Sequence, residues 1–495
     1  MTTTSRQRET SLAPANRSTE RAKRPHRYEI LASAVAHAIS TGALAAGERL
    51  PSVRELCRQH SVSLSTAMQA MRCLEDSGLV EARPRSGFFV LQRAAVQVHA
   101  PALGVGEPPA SRSPGLSASS RAELMDLANR EHGFGAAYVG KELLETARIQ
   151  RCMLKAVQDH GSTLARFEAG SGHQALQRAV AQHTLRFGSK LEWQSIHITS
   201  GCLEAISLAL RTVTVPGSRV AIETPTFFGF SELLAQMGRV ALEIPTHPVE
   251  GINLDALQYA MEQGHVSAVL LSPALSNPLG SSMPLAQRER LAALAARYKI
   301  AVIEDVVWND LIEQPQLRTT VQALDREGWV MLCGSFTKTL APGLRLGWLH
   351  AGRWSDAVEG LRSHTMSRPT EVLELTLARL LKQGGLERHH LKLRSVLESR
   401  RAYAREIIAR TFPRGTRVSD PPGGMLLWVE MPEGLDSHLL LEHALPERLS
   451  FIPGTLFSTK QRYRNCLRLG LGGRWGWQQH AALARLGALA CKLSG

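Results

Sequence analysis

Apolar positions follow two different rhythms along the chain, one in the first hundred residues and another after residue 120. Between residues 28 and 92 they recur every three or four positions, in three segments separated by polar residues. This spacing puts apolar side chains on one face of a helix and predicts three short helices. The first segment ends at Thr41–Gly42. Its predicted inner face consists of Ile30, Val35, Ala38 and Ile39.

The second and third segments carry start signals of their own. Ser52 is a suitable N-cap, and Glu55, three residues later, completes a capping box for a helix that ends near His60. Either Ser63 or Ser65 caps the third helix. The inner face of this third helix is predicted to carry Ala67, Ala70, Met71 and Leu74.

A basic hairpin is predicted after the third helix, which ends at Gly78. Leu79–Val80 and Phe88–Val90 are short apolar segments on either side of the stretch ARPRSG, which places Arg83 and Arg85 at the turn. Three helices, a tight turn between the second and third, and a basic two-stranded wing define a winged helix-turn-helix, mostly α with a small β wing. The third helix of such a domain can enter a major groove of double-stranded DNA.

The second rhythm begins after residue 120, where helical patterns alternate with short, unbroken apolar runs. Each run has the length of a buried strand, and most runs are separated by helix-length segments. This alternation predicts an α/β fold built from repeated strand–helix units. The six runs are SIHITSG, SRVAIETP, SAVLLSPA, IAVIEDVV, WVMLCGSF and GMLLWVEM.

A segment with neither rhythm separates the two patterns. Residues 93–120 are rich in Pro, Gly, Ser and Ala and carry little charge, a composition typical of a flexible linker. Residues 1–27 are basic without an apolar stripe, which predicts a disordered arm rather than a targeting segment. The protein is therefore expected to be multi-domain, with the winged helix-turn-helix at 28–92 and an α/β domain at 121–495.

Charge and cysteine usage narrow the class of protein. The net charge is +14, and residues 1–99 hold 14 Lys/Arg against 8 Asp/Glu, a local +6 that suits contact with DNA phosphates. No run reaches the roughly 18 apolar residues of a membrane span. The seven cysteines form no Cys-x-x-Cys pair, so neither a disulfide framework nor a metal site is expected. These features predict a cytoplasmic protein, nucleoid-associated when bound to DNA.

The segments LPSVREL, VSLSTA and LEDSGLVEARPRSGFFV resemble the GntR family of bacterial regulators. The resemblance implies binding to an operator in double-stranded DNA. That family usually has an arginine where this chain has Leu64, so the usual base contact at this position is not expected, whereas Ser65 and Thr66 can still form hydrogen bonds. The predicted DNA-binding residues are Arg49, Ser52, Arg54, Ser63, Ser65, Thr66, Arg83, Arg85, Ser86 and Gly87.

One lysine in the α/β region is distinguished by its neighbours. The stretch CGSFTKTLAPGLRLGW sets Lys338 among small, flexible residues, with Arg345 seven residues later. A lysine in such surroundings suits either anion binding or attack on a carbonyl, and pyridoxal 5'-phosphate (PLP) supplies a carbonyl. PLP in turn requires donors for its phosphate, a carboxylate for its pyridine nitrogen and a flat apolar wall for its ring.

The phosphate support has candidates on two segments. The strand SIHIT gives way to the helix LEAISLALRTV, and backbone N–H groups at such a helix N-terminus bind anions. Most strand-to-helix turns look similar, so this signal is weak by itself. The candidate phosphate-binding residues are Ser200, Gly201, Cys202, Ser335, Thr337 and Arg345.

The other two supports have candidates that also have simpler explanations. Asp305 follows the run IAVIE and could pair with the pyridine nitrogen or cap a helix. Phe227 in ETPTFFGF could stack on the ring or belong to the core. Asn277 in SNPLG could donate to the ring hydroxyl or simply form a turn.

The order of five segments carries more information than any one of them. SGCLEA, ETPTFFGF, SNPLG, IEDVVW and SFTKTLAPGLRLGW follow one another as in fold-type I aminotransferases, which the C-terminal three quarters of the chain resembles. The resemblance implies that Lys338 is the catalytic residue that forms an imine with PLP, that Asp305 pairs with the ring nitrogen, and that Phe227 stacks on the ring. It also implies that Arg468 in NCLRLGLG binds a ligand carboxylate. Trp308 stands where the family has a tyrosine that binds the cofactor's phenolic oxygen.

A GntR-type head joined to an aminotransferase-like domain resembles the MocR subfamily of bacterial transcriptional regulators. This resemblance implies a homodimer that reads an operator and senses PLP or a small amino compound through the imine at Lys338. A working aminotransferase with a DNA-binding head is the alternative. A dimerisation scaffold that has lost PLP is a third possibility.

Overall fold

The computed structural model describes most of the chain. The described residues are 26–40, 43–45, 47–76, 79–83, 86–91, 100–101, 133–165, 170–365 and 368–494. The predicted arm at 1–27 and the linker at 93–120 lie almost entirely outside these ranges, so the domain boundaries stay predictions. Within the described ranges, no helix is long and apolar enough to cross a membrane.

The N-terminal region is the predicted winged helix-turn-helix. Three helices precede an antiparallel pair of strands, in which Val80 pairs with Val90 and Arg83 with Gly87. The bounds of these elements are α1 Arg27–Ser40, α2 Val53–His60, α3 Leu64–Asp76, β1 Val80–Arg83 and β2 Gly87–Val90.

The inner faces of these helices confirm one prediction and correct another. The four core residues predicted for α3 are all fully buried. In α1, however, Ile30 is 55% exposed, so its assignment to the inner face is wrong. A helix turns by about 100° per residue, and Ile30 lies one such step outside the face that packs inward. That face carries Leu31, Ala32, Val35, Ala36 and Ile39.

The helix caps follow the predicted chemistry. The backbone N–H of Glu55 donates to Ser52 Oγ at 3.3 Å, and the N–H of Ser52 donates to Glu55 Oε2 at 2.8 Å, so the capping box is complete. The N–H of Thr66 donates to Ser63 Oγ at 3.2 Å. Since α3 begins at Leu64, Ser63 occupies the cap position and Ser65 lies inside the helix.

A mixed eight-stranded sheet forms the centre of the larger region. Its strand order is β3-β10-β9-β8-β7-β4-β5-β6, in which β10 and β6 are antiparallel to their neighbours and the other pairs are parallel. Five of the six predicted runs lie here. The strands are β3 Ile196–Thr199, β4 Arg219–Thr224, β5 Val240–His247, β6 Gly251–Ile252, β7 Ala268–Leu271, β8 Ala301–Asp305, β9 Val330–Ser335 and β10 Gly347–His350.

Helices cover both faces of this sheet. Alternate residues of one strand point to opposite faces, so Val269 and Leu271 join a different apolar cluster from Ala268 and Leu270. The helices before and between the strands are α4 Thr146–His160, α5 Gln174–Thr184, α6 Cys202–Val213, α7 Phe228–Gln236, α8 Leu254–Glu262 and α9 Leu285–Tyr298. After the sheet follow α10 Ser355–Thr365 and α11 Glu371–Lys382.

The sixth predicted run belongs to a second, smaller sheet. This antiparallel sheet has the order β11-β12-β14-β13, and the long helix α12 shares its apolar core. The elements are α12 Leu386–Thr411, β11 Arg417–Val418, β12 Leu426–Glu430, α13 Ser437–Ala444, β13 Ile452–Pro453, β14 Cys466–Gly470 and α14 Trp477–Ser494.

A hairpin joins β9 to β10 and carries the lysine that the sequence singles out. Ser335 pairs with Gly347 as the last residues of the ladder, so residues 336–346 form the connecting loop. The N–H of Phe336 donates to the carbonyl of Leu346 at 3.4 Å and narrows the base of this loop. Lys338 therefore projects from a loop that is tethered at both ends to neighbouring strands.

Candidate functional site

The carboxyl ends of five parallel strands lie along one edge of the large sheet, and a cleft of about 740 Å³ opens there. In open α/β sheets this edge is the usual place for a ligand. The structure brings all eleven cofactor-binding candidates to this cleft. They are Ser200, Gly201, Cys202, Phe227, Asn277, Asp305, Trp308, Ser335, Thr337, Lys338 and Arg345.

Lys338 lines the cleft in the β9–β10 loop. Its Nζ lies 5.4 Å from the centroid of the Trp308 ring, a distance at which an ammonium interacts with an aromatic face. Burial, together with the positive charge of Arg468, lowers the pKa of Lys338 to about 8, although Asp305 opposes the shift. Near neutral pH a useful fraction of the amine is therefore unprotonated and able to attack a carbonyl.

Asp305 ends β8 and faces the same cleft. Its Oδ1 accepts the backbone N–H of Val307 at 2.9 Å and the thiol of Cys202 at 3.3 Å. Among the described residues, Oδ2 has no donor. Burial raises the pKa of Asp305 to about 6, so the carboxyl group is ionised above that pH and suits a cationic partner such as a protonated pyridine nitrogen. No helix begins directly after Asp305, so the alternative role as an α-helix cap does not apply.

Another part of the cleft wall is formed by the N-terminus of α6. Gly201 is its N-cap, and a φ of 115° there requires the backbone freedom of glycine. The first N–H groups of α6 have no acceptor inside the helix and point toward the cleft end. Ser335 Oγ and Thr337 Oγ1 are 2.6 Å apart on the facing loop. These groups form a set of donors that fits a phosphate.

Arg345 completes this end of the cleft. A methyl group on Gly201 would lie 3.6 Å from Arg345 Nη2, so the guanidinium lies close to the helix N-terminus. Arg345 has a φ of 53°, a left-handed conformation that is uncommon for residues with a side chain. Such backbone strain is found where the position of a side chain matters for function.

Arg468 lies behind the cleft wall rather than on it. This residue of β14 is 2% exposed and donates from Nη1 to Asn277 Oδ1 at 3.3 Å and from Nη2 to the carbonyl of Gly135. Its Nε has no partner, and no acidic side chain pairs with it in the described part of the chain. Burial lowers the pKa of Arg468 to about 9. A buried cation without a counterion favours an anionic ligand nearby.

The contact with Arg468 also orients Asn277. Because Asn277 Oδ1 accepts from the guanidinium, the amide nitrogen of Asn277 is left to donate into the cleft. Phe227 is half-buried at the start of α7 and contacts Phe228 and Phe230, with ring centroids 4.8 and 5.5 Å away. Phe227 is therefore part of a cluster of aromatic side chains and also lines the cleft.

Sequence reasoning missed several lining residues. Ser272 directly follows β7, so the rule that sites lie just past parallel strands would have found it; its N–H donates to the buried carboxyl of Glu223 at 3.0 Å. Ala137, far from the other motifs, has no signal of its own. The missed lining residues are Ala137, Leu203, Ile206, Phe230, Ser272 and Val307. Within the described ranges, no group of His, Cys, Asp and Glu could hold a metal ion.

The predicted DNA-binding residues of α3 form a hydroxyl cluster. Ser63 Oγ lies 2.9 Å from Ser65 Oγ and 2.8 Å from Thr66 Oγ1 at the exposed start of the helix. Leu64 is 59% exposed beside them, an unusual position for a large apolar side chain. Among the described residues 63–66, this end of α3 presents hydroxyls and one leucine but no cation.

The wing supplies cations instead. Arg83 Nε donates to Glu81 Oε1 at 2.7 Å, and its guanidinium stacks 4.4 Å from the centre of the Phe89 ring. Arg49 forms a β-bridge with Phe89 and is exposed. The remaining predicted residues Ser52, Arg54, Ser86 and Gly87 are exposed as well, and Arg85 lies outside the described residues.

Two known protein families match two different parts of the chain. The family described as "Aminotransferase class I and II" matches residues 140–473, and the family described as "Bacterial regulatory proteins, gntR family" matches residues 27–90. The uncharacterized HTH-type transcriptional regulator YjiR of Escherichia coli is 33% identical over 448 residues, 90% of this chain and 94% of that protein. YdcR of the same organism is 29% identical over 94% of this chain and 98% of its own length.

Solved structures resemble the larger region. Kynurenine aminotransferase from Pyrococcus horikoshii, solved in complex with PMP, has a TM-score of 0.70 and 26% identity, covering 76% of this chain and 95% of that chain. LysN, an α-aminoadipate aminotransferase from Thermus thermophilus complexed with N-(5'-phosphopyridoxyl)-L-leucine, has a TM-score of 0.69 and 25% identity, with coverage of 76% and 95%.

These findings identify the chain in two steps. Over most of its length it belongs to the class I and II aminotransferase family, with the fold-type I architecture. Because its N-terminal region matches the gntR family and its full-length relatives are HTH-type regulators, the chain is a transcriptional regulator of the MocR subfamily.

Proposed function

We propose that this regulator binds PLP covalently at Lys338 and changes its affinity for DNA when a small amino compound enters the same cleft. The observation that carries the proposal is the placement of Lys338, Asp305 and the N-terminus of α6 around one cleft. Beside the amine of lowered pKa, the cleft offers anion donors for the phosphate, a carboxylate with one free oxygen for the pyridine nitrogen and the Phe227 ring as an apolar wall.

The residues present fit this cofactor at each of its groups. Gly201 and Cys202 would offer the phosphate their backbone N–H groups, together with the residues of the lysine loop. The N–H of Ser200 donates to Glu204 Oε2, so Ser200 would offer its hydroxyl. Asp305 would hold the pyridine nitrogen through Oδ2, and Phe227 would cover the ring. The free amide nitrogen of Asn277 would donate to the phenolic oxygen.

PLP supplies a carbonyl carbon that reacts with primary amines. Lys338 would hold that carbon until an amino compound replaces it, and its pKa of about 8 makes the side chain a competent proton acceptor near neutral pH. Trp308 has an indole N–H that donates but cannot accept. It therefore retunes the surroundings of the lysine compared with the tyrosine that the family usually has, which favours recognition over rapid turnover.

The effector is proposed to be an amino compound that carries a carboxylate. Arg468 is the buried cation that would bind this carboxylate, and its Nε is unpartnered. Since Arg468 lies behind Asn277, the ligand would have to draw the guanidinium forward or displace its contact with the carbonyl of Gly135. Such a rearrangement gives the ligand a way to favour one conformation of the protein over another.

The winged head would read the operator through the start of α3 and the wing. Two heads of a homodimer would address paired half-sites, and phosphate contacts from Arg49, Arg54 and Arg83 would set the register. The hydroxyls of Ser65 and Thr66 would contact bases in the major groove.

A single titration tests this proposal. Purified full-length protein is loaded with PLP and titrated with amino acids while absorbance and binding to operator DNA are recorded together. We expect an amino compound to change the cofactor band and the DNA affinity with the same midpoint. Steady turnover of an amino donor with a 2-oxo acid would instead identify a working aminotransferase. A protein without any cofactor band would be a scaffold, and the proposal would be wrong.

A further inference from the structure

Cys202 stands at the junction between two parts of the cleft. It is the first residue of α6, so its backbone N–H belongs to the open helix N-terminus. Its side chain reaches Asp305, where Sγ donates to Oδ1 at 3.3 Å. The two residues are 103 positions apart in the chain. One residue therefore contacts both the phosphate end and the carboxylate that faces the ring.

We propose that Cys202 is a positioning residue for Asp305, whose thiol fixes the carboxylate so that Oδ2 faces the pyridine nitrogen of the cofactor. The proposal rests on the proposed function, because it assumes that the cleft binds PLP. It gives the side chain of Cys202 a role distinct from phosphate binding.

The geometry around Asp305 supports this role. Oδ1 accepts two donors from different segments, the N–H of Val307 in its own loop and the thiol of Cys202 on α6. Two donors on one oxygen define the plane of the carboxylate, and they leave the second oxygen for another partner. A carboxylate held only by Val307 could rotate about its side-chain torsion, because that torsion has a broad profile.

The thiol stays a donor over the physiological pH range. Burial, reinforced by the negative charge of Asp305, raises the pKa of Cys202 well above its ordinary value. The thiol is therefore protonated and can donate to Asp305. Because a thiol is a weaker donor than a hydroxyl, this contact orients Asp305 without depressing its pKa strongly.

Cys333 offers a matched comparison. It pairs directly with Asp305 across β8 and β9 and is fully buried. Its pKa is also raised by burial and by the charge of Asp305, so it shares the same surroundings. It differs from Cys202 in one respect, since no hydrogen bond joins its thiol to the carboxylate of Asp305 in the described part of the chain. A cysteine that only fills the core should behave like Cys333.

The test compares Cys202→Ala, Cys202→Ser and Cys333→Ala in the full-length protein. PLP affinity is measured by absorbance titration, and the pH midpoint of the bound cofactor's band is measured for each variant. We expect Cys202→Ala to weaken PLP binding by roughly three- to tenfold, the loss of one modest hydrogen bond. Its pH midpoint should move upward, because a less well-held carboxylate keeps less positive charge on the pyridine ring. Cys202→Ser should restore the affinity, and Cys333→Ala should match the wild type.

The outcomes separate this proposal from the one on which it rests. If the wild type binds no PLP, the proposed function fails. If the wild type binds PLP and Cys202→Ala behaves like Cys333→Ala in affinity and midpoint, the role of Cys202 is wrong. Should Cys202→Ala not fold, Cys202→Val decides alone: it fills the space without a donor, so the midpoint should move upward, and an unchanged midpoint overturns the proposal.

Discussion

The cleft and the winged head hold their functional residues in opposite ways. In the cleft, Lys338 and Asp305 are enclosed by protein, and burial shifts the pKa values of both groups toward neutrality. In the head, Ser63 and Arg83 are exposed and bonded only to near neighbours. The functional groups of the cleft are already surrounded by protein atoms in the absence of a ligand. The head offers solvated groups whose environment is completed by DNA.

This difference predicts how the two regions respond to substitution. Removing a group from the cleft changes the electrostatics of several others, because interactions are strong where water is excluded. Removing an exposed group from the head subtracts one contact and leaves the rest in place. The predictions below test that contrast, starting with the largest expected effect.

Lys338→Ala should abolish cofactor attachment in the cleft and leave DNA binding by the head nearly unchanged. We expect the absorbance band of the imine to disappear, because no other lysine lines the cleft in the described part of the chain. Operator affinity of the ligand-free protein should stay within about twofold, since no contact of the head is removed. Absorbance and fluorescence anisotropy measure the two effects. Lys492→Ala, at an exposed position of α14, is the control; a lost band in that variant would contradict the assignment.

The pH dependence of PLP attachment should report the buried lysine. With a pKa of about 8 for Lys338, the reactive amine falls by about tenfold per pH unit below that value and levels off above it. Stopped-flow absorbance between about pH 6 and about pH 10 should follow this curve. A rate that keeps rising to the ordinary lysine range would show that burial does not tune this amine.

Arg468→Met should remove the response to the effector's carboxylate while keeping the cofactor. Loss of a charge-assisted contact is expected to weaken the response to amino acids by roughly ten- to a hundredfold. The response to a simple amine without a carboxylate should change little. Titrations followed at the cofactor band compare the two ligand types, and equal losses for both would place the carboxylate elsewhere.

Arg83→Ala should weaken DNA binding by a similar factor for every sequence. We expect the slope of log affinity against log salt to fall by about one, as for the loss of one phosphate contact. The cofactor band should not change. Thr66→Ala provides the contrast, because a lost base contact should reduce discrimination between operator and unrelated DNA by about 1–3 kcal/mol. A change of salt slope in both variants would contradict the proposal that Arg83 contacts phosphate and Thr66 contacts a base.

Trp308→Tyr is expected to have the smallest effect. A phenol can donate to the cofactor's phenolic oxygen, and the aromatic face 5.4 Å from Lys338 Nζ is partly retained. The pH midpoint of the cofactor band should move downward by about one unit or less, the size of one hydrogen bond. Trp308→Phe keeps an aromatic face without the hydroxyl and serves as control. If both variants shift equally, the hydroxyl has no part in the effect.

Some residues of the cleft can be predicted from local sequence patterns, whereas the contacts between them depend on the order of the strands in the sheet. The run that ends at Asp305 and the turn at Ser200 are local patterns, and the structure brings both to one cleft because the carboxyl ends of parallel strands share an edge. The contact between Cys202 and Asp305 had no local signal. It arises because β10 and β9 separate β3 from β8 in the sheet while α6 crosses over them.

Two further features illustrate the same limit. The exposure of Ile30 depends on which side of α1 faces its neighbours, and a four-residue apolar pattern did not fix that angle. Arg468 was predicted as a ligand cation, but its position behind Asn277 follows from the packing of the small sheet against the cleft. Local patterns predict which residues matter, whereas tertiary packing decides which of them touch.

The tethered hairpin that carries Lys338 constrains how this protein can change over time. Ser335 and Gly347 close the ladder, and β10 is paired with β3 as well as β9, so adding or removing one residue between them would displace Lys338 within the loop rather than move β10. Gly347 adds a second constraint, because any side chain there would collide with the backbone of Gly201. The lysine itself can be exchanged by a single substitution without disturbing either restraint. We therefore expect relatives to keep the length of the loop 336–346 even where another residue replaces Lys338.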